Sequence, residues 1–304
     1  MTGPPFLDSA AVHRLLPMHA AIDAIEAALR AGLDPEADPP RSIVDVRAGQ
    51  ILAMPSASAT YAGIKVVTVA PGNAERDLPR VQGVYVLFDG ETLAPLALLD
   101  GIALTSLRTP AVSAVAVKHL APGDAGRLLV FGTGPQAWGH IEAMLCVRPI
   151  DRIDVAGRRT EHTTRFVDRC NAAGLPTDAA SPDAVVEADI VCCCTTSREP
   201  LFDGRLVGNG ATVVAVGSHE PDAREVDASL VQRATVVVEA RSVARREAGD
   251  IVQAPGVPLA TLDELVRGTV AVPPDRPRLF KSTGMAWEDL VAASAVYEAF
   301  RARS

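Results

Sequence analysis

The sequence predicts an α/β fold, a doubly wound parallel sheet accompanied by a smaller α+β domain. Three observations predict it. From Arg127 onward, short apolar strands alternate with segments of helical length. A glycine-rich turn, Gly132-Thr133-Gly134-Pro135-Gln136-Ala137, stands between the first of those strands and the first of those helices. Before Arg127 the apolar runs follow one another with turn pairs, and no helices, between them.

At 304 residues the chain has room for about two domains of roughly 150 residues each. Apolar residues make up 48% and charged residues 22%, enough apolar chain to build cores and to exclude general disorder. Lys plus Arg number 29 against 37 Asp plus Glu, with no long basic block, so nucleic acid and anionic membrane are not expected partners. No apolar run reaches the length of a membrane span, and none follows a basic N-terminus in the manner of a secretion signal. Three of the five cysteines, Cys192, Cys193 and Cys194, are consecutive. Neighbours on a strand point to opposite faces and form no ordinary disulfide. No CxxC pair exists, so no metal site is expected. Buried thiols on a core strand, in a cytoplasmic protein, are the expectation.

The elements follow in order. Asp8 or Ser9 caps a short helix and Pro17 opens the next, whose Ile22, Ile25 and Leu29 form one stripe that ends at Gly32. The acidic, Pro-rich stretch from Asp34 to Pro40 is a loop. Strands are predicted at Ser42–Arg47, Gln50–Met54, Gly63–Val69, Gln82–Phe88 and Pro95–Leu99. The turn pairs Ala48-Gly49, Pro71-Gly72 and Asp89-Gly90 punctuate them, as in a mixed or antiparallel sheet. The Ala-rich segment from Asp100 to Leu120 is a helix that Pro110 breaks or kinks.

The second rhythm starts with strand Leu128–Phe131 and helix Pro135–Cys146, then strand Arg152–Ala156 and helix Thr160–Ala173. Strands at Ile190–Cys194, Thr212–Val216 and Thr235–Val238 complete right-handed βαβ units on a parallel sheet. The last helix, Trp287–Arg301, lies beyond the alternating region and is expected to return to the first domain.

The glycine turn has the form GxGxxA in a strand–turn–helix context. Gly132 allows the tight turn, Gly134 lets the backbone approach a pyrophosphate, and Ala137 lets helix and strand pack closely. The helix N-terminus then turns N–H groups and a positive dipole end toward the phosphates. This is the signature of a Rossmann-type dinucleotide-binding domain. The end of the second strand indicates which dinucleotide. An acid there accepts hydrogen bonds from a ribose 2′-OH, but Ala156-Gly157-Arg158-Arg159-Thr160 offers two guanidiniums instead. NADP is therefore preferred over NAD. Asp154, inside the strand, is the only nearby rival.

The order Gly63-Ile64-Lys65, Leu99-Asp100-Gly101, Leu107-Arg108-Thr109 and the glycine turn continues through Val216-Gly217-Ser218-His219 and Phe280-Lys281-Ser282-Thr283-Gly284-Met285-Ala286. This order closely resembles the ornithine cyclodeaminase/mu-crystallin family over nearly the whole chain. The resemblance implies a substrate-binding and dimerisation domain over residues 1–120, completed by residues 286–304, and a Rossmann domain over residues 121–285. It implies a homodimer and a small amino or imino acid as substrate. It further implies that Arg41, Lys65 and Arg108 surround a substrate carboxylate, a role that suits fixed cations and the bidentate fork of Arg. Cofactor contacts at Arg80, Arg108, Thr109, Thr195, Thr196, Val216, Gly217, Ser218 and Ser282 are implied in addition to Gly132, Gly134, Pro135, Gln136, Ala137, Gly157, Arg158 and Arg159.

Three positions depart from the family pattern. His219 stands where cyclodeaminases carry an Asp, Arg80 where many members have Thr or Ser, and Pro110 where Ala is usual. An imidazole shuttles protons near neutral pH but does not pair an ammonium as a carboxylate does. The expectation is thus an NAD(P)-dependent oxidoreductase that reduces the C=N bond of a 2-imino acid, with Lys65 or His219 supplying the proton to nitrogen. A cyclodeaminase with bound NAD, or a non-catalytic binding protein of the mu-crystallin type, stays open as an alternative.

Overall fold

The structure, a computed structural model, describes residues 3–76 and 78–303. In chain order it begins with β1 (Phe6–Leu7), α1 (Ser9–Leu15), α2 (Met18–Arg30), β2 (Ser42–Val46), β3 (Gly49–Ala57), β4 (Tyr61–Val69), β5 (Val81–Asp89), β6 (Pro95–Asp100) and α3 (Gly101–Leu120). There follow β7 (Arg127–Phe131), α4 (Pro135–Val147), β8 (Arg152–Ala156), α5 (Thr160–Ala172), β9 (Thr177–Ala179), β10 (Ile190–Cys193) and β11 (Thr212–Ala215). The chain continues with α6 (Ala228–Arg233), β12 (Thr235–Val238), α7 (Arg241–Glu247), α8 (Gly249–Val252), β13 (Leu259–Thr261), α9 (Leu262–Val266), β14 (Arg278–Lys281) and α10 (Ala286–Arg301).

Contacts divide the chain into two compact units. One holds the residues up to Ala28, Ala37–Thr109 and those from Met285; the other holds Leu29–Glu36 and Pro110–Gly284. The sequence places its boundaries at residues 120 and 285, whereas the division by contacts falls inside α3. Pro110 does not break that helix, which runs from Gly101 to Leu120 with the proline inside it. The ring costs only one backbone hydrogen bond, that to the carbonyl four residues earlier. The far end of α3 is closed by Arg148, whose guanidinium donates to the carbonyls of Val117 (2.9 Å), Ala121 (2.7 Å) and Pro122 (2.8 Å). Carbonyls at a helix C-terminus have no partner within the helix, and a cation there also complements the dipole.

The first unit is built on a six-stranded sheet of order β1-β6-β5-β4-β3-β2, antiparallel except where β1 lies parallel to β6. Asp8 caps α1 by accepting from the Ala11 N–H at 2.8 Å, and Ile22, Ile25 and Leu29 are buried as their spacing predicts. Helix α10 packs on β3, β4 and β5. Along β4 burial alternates, with Tyr61, Gly63, Lys65 and Val67 on the inward face. Lys65 therefore sits in the buried phase of the strand. Gly63 is obligatory there, because a Cβ would lie 2.1 Å from the Tyr85 hydroxyl.

The second unit is a wholly parallel eight-stranded sheet of order β13-β12-β14-β11-β10-β7-β8-β9. From β7 the chain builds outward through β8 and β9, then returns to β10 and builds the other way. The reversal lies between β7 and β10, the place where doubly wound sheets open a ligand crevice. Alternate residues of the central strands, among them Leu129, Phe131, Val191, Val213 and Leu279, form one core face. The sequence reading misses β9, β13 and β14. The last is Arg278-Leu279-Phe280-Lys281, whose flanking charges hide a fully buried strand. Arg278 donates to the Gly210 carbonyl and Lys281 to the Ser218 carbonyl. Cys192 and Cys193 are buried on β10, and burial pushes both thiols up, as expected of inert core cysteines. Among the described residues, no helix is long and apolar enough to cross a membrane.

Candidate functional site

In the second unit, the turn after β7 opens a cleft of about 610 Å³. Gly132 has φ +110°, and a Cβ there would come within 2.5 Å of the Cys194 carbonyl oxygen, so only glycine fits. Gly134 caps α4 ahead of Pro135 with no side chain of its own and with open space where a Cβ would be. The backbone thus leaves room at a helix N-terminus for a group such as a pyrophosphate. Ala137 is fully buried behind it. His140 is buried on the same helix, its Nδ1–H donating to the Gln136 carbonyl (2.7 Å) and its Nε2 accepting from Ser113 (2.9 Å). Burial lowers its pKa to about 4, so it stays neutral and structural.

Gly157, Arg158, Arg159 and His162 line the adjacent wall, and Thr195 and Thr196 the loop after β10. Both arginines are exposed. The rival acid, Asp154, is held by Arg152 at 3.0 Å. The remaining expected contacts in this unit are more internal. Ser218 is buried and donates to the Ala223 carbonyl at 2.5 Å, while Ser282 donates to Glu239 at 2.5 Å. Val216 and Gly217 follow β11, and His219 is exposed on the same loop.

In the first unit, Lys65 and Arg108 meet on one carboxylate. Lys65 Nζ lies 2.6 Å from Asp289 Oδ2 and Arg108 Nε lies 3.3 Å from Asp289 Oδ1; Arg108 Nη1 reaches Glu288 at 2.5 Å. All four residues are buried, the two acids at 0% exposure. Glu288 and Asp289 open α10, where the helix dipole favours anions. Asp38 anchors the same turn, accepting from the Trp287 N–H (2.6 Å) and from Ser56 (2.6 Å). Burial lowers the Lys65 pKa to about 8, with Arg108 pushing the same way and Asp289 opposing. Glu288 and Asp289 supply the counter-charge of Arg108 from within the chain. Arg41 stands half-buried on the loop leading into β2, Thr109 is buried, and Arg80 is exposed before β5.

Fold and cleft together define a dinucleotide-dependent enzyme of the doubly wound class. The profile of the ornithine cyclodeaminase/mu-crystallin family matches residues 4–304, and the chain belongs to that family. Ketimine reductase mu-crystallin of Rattus norvegicus is 34% identical over 266 residues, covering 86% of this chain and 85% of the rat protein. The Δ1-pyrroline-2-carboxylate reductase of Thermococcus litoralis, solved with NADH and L-proline, superposes with a TM-score of 0.91 at 31% identity, over 98% of each chain. An archaeal alanine dehydrogenase dimer with bound NAD gives 0.89 at 29% identity, over 99% of this chain and 97% of that one.

Proposed function

We propose that this protein is an NAD(P)H-dependent reductase of the C=N bond of a 2-imino acid, with cyclic imines such as Δ1-pyrroline-2-carboxylate as the leading substrate class. The observation that carries this reading is the pair of buried cations, Lys65 and Arg108, held on one carboxylate. Desolvated cations fixed in place bind a carboxylate more strongly than solvated ones, and Arg108 brings a planar fork to the task. Asp289 and Glu288 stop the two cations from repelling one another and so keep them oriented. Lys65, its pKa brought to about 8, is mostly ammonium at neutral pH yet close enough to that pH to yield its proton to the imine nitrogen. His219, exposed on the loop after β11, is the other candidate proton source. The bound nicotinamide supplies the hydride; orientation of the acceptor is what the chain's own residues contribute.

NADPH is the preferred cofactor in this reading, because Arg158 and Arg159 border the cleft and Asp154 is engaged by Arg152. The expected margin over NADH is about 1.5–3 kcal/mol, that of hydrogen bonds to a charged group. The purified protein should consume NADPH with Δ1-pyrroline-2-carboxylate, Δ1-piperideine-2-carboxylate, or a 2-oxo acid plus methylamine, and Arg158→Ala with Arg159→Ala should narrow the gap to NADH. Ammonia released from ornithine with no net change in NADPH would instead establish a cyclodeaminase.

We also infer a homodimer. Edge strand β2 exposes Ile43 (50%), Val44 (56%) and Val46 (43%), an unpaired apolar edge that needs covering. Sedimentation should give twice the chain mass, and a monomer at micromolar concentration would overturn the inference. A reducing, cytoplasmic setting suits the cysteines, none of which is in a disulfide.

A further inference from the structure

Behind the cofactor cleft lies a second buried charge cluster, distinct from that of Lys65 and Arg108. Glu225, at 0% exposure, reaches two neighbouring strand ends at once. Its Oε1 accepts from the Thr195 N–H (2.8 Å) and hydroxyl (2.7 Å), and its Oε2 accepts from the Gly217 N–H (2.7 Å). Thr195 Oγ1 in turn accepts from the Ser197 N–H at 3.1 Å, and Thr195 and Ser197 both line the cleft. The glutamate is itself fixed from behind. Asp250 Oδ1 accepts from the backbone N–H of Glu225 (2.7 Å) and of Val226 (2.9 Å). Lys281 lies 2.9 Å from Asp250 Oδ2 and donates to the Ser218 carbonyl at 2.7 Å. There is no slack between the two loops: a Cβ on Gly217 would be 1.9 Å from the Thr195 carbonyl oxygen and 2.5 Å from Glu225 Oε1.

We propose that Glu225 is a positioning residue for the dinucleotide, its carboxylate setting the spacing of the loops after β10 and β11 and so the shape of the cleft wall at Thr195 and Ser197. The proposal rests on the reading of the cleft as a dinucleotide site. Three N–H and O–H donors converge on the two oxygens of Glu225. A carboxylate satisfies all three; a neutral carboxylic acid places its own O–H among them and displaces at least one. Burial raises the Glu225 pKa to about 7, with Lys281 and the three donors opposing. Around it stand Lys281 on β14, Asp250 on α8, and the thiols of Cys193 and Cys194, which are held well above their ordinary values and stay neutral. Dinucleotide affinity should therefore follow the ionisation of Glu225, weak below neutrality and level above it.

The test is the dissociation constant of NADH, a probe without a 2′-phosphate to titrate, measured by fluorescence across neutrality. For the unaltered protein it should be about tenfold weaker near pH 6 than near pH 8, following the ionised fraction. Glu225→Gln resembles the protonated acid and should bind as weakly at both pH values, with no slope. His162→Gln, which removes the titratable group on the cleft wall, should keep the slope. A flat profile in the unaltered protein, an unchanged slope in Glu225→Gln, or loss of the slope in His162→Gln overturns the proposal. The unaltered and His162→Gln profiles decide the matter even if Glu225→Gln fails to fold. Binding of neither NADH nor NADPH at any pH would overturn the cofactor reading itself, and this proposal with it.

Discussion

Lys65→Met should lower kcat/KM for imine reduction by about 10²–10⁴, the range of a general acid, while NADH binding stays nearly unchanged. Methionine fills much the same volume and suits the buried phase of β4, so the substitution removes a charge with little disturbance of packing. The Lys65 pKa of about 8 gives the prediction a pH signature. If the ammonium is the working form, kcat/KM of the unaltered enzyme falls as pH rises through that value, and the limb is absent from the residual activity of the variant. Stability moves in the opposite sense. The folded-state pKa of about 8 lies below the ordinary 10.5, so between the two the folded state binds fewer protons than the unfolded chain and stability rises with pH. Near-normal turnover in Lys65→Met, with its pH profile intact, would reduce Lys65 to a structural ion-pair partner.

The sequence was informative where the controlling interactions are local. Strands β2 to β6 follow from short apolar runs set between turn pairs, and the Gly132–Ala137 turn carries its chemistry in consecutive residues. The acids are a different case. Glu288 and Asp289 open a helix, where acids ordinarily complement the dipole and face water; their partners are about 180 and 220 residues away in the chain. Glu225 sits in the polar run Asp222–Asp227, which reads as solvated loop. Lys65 shows the same limit from the other side. From the residues alone it reads as a solvated lysine on a strand face. The structure puts it in phase with Tyr61, Gly63 and Val67 on the buried face, and the partner that makes an inward lysine tolerable lies on α10. Burial of a charge is affordable only with a counter-charge, and which segment brings one depends on tertiary contacts that no local pattern encodes.

Asp289→Asn should be the most destabilising single change in the first unit. The carboxylate serves two cations, Lys65 at 2.6 Å and Arg108 at 3.3 Å, and none of these groups is more than 5% exposed. Removing one partner from a buried ion pair costs about 3–5 kcal/mol, because the remaining charge is left without compensation. Arg108 keeps Glu288, so Lys65 bears most of the loss. It loses the main group that holds its pKa up, and Arg108 and burial continue to push it down. The alkaline limb of kcat/KM should accordingly move to lower pH, and the remaining turnover should be greatest on the acid side of the parent optimum. The double variant Lys65→Met with Asp289→Asn separates charge from shape. With no orphaned ammonium to bury, it should recover part of the urea-denaturation stability that Asp289→Asn loses, a non-additivity expected only of residues in direct contact. A loss below about 1 kcal/mol in Asp289→Asn, within the range of an exposed ion pair, together with strict additivity in the double variant, would mean that Asp289 does not hold the two cations in solution.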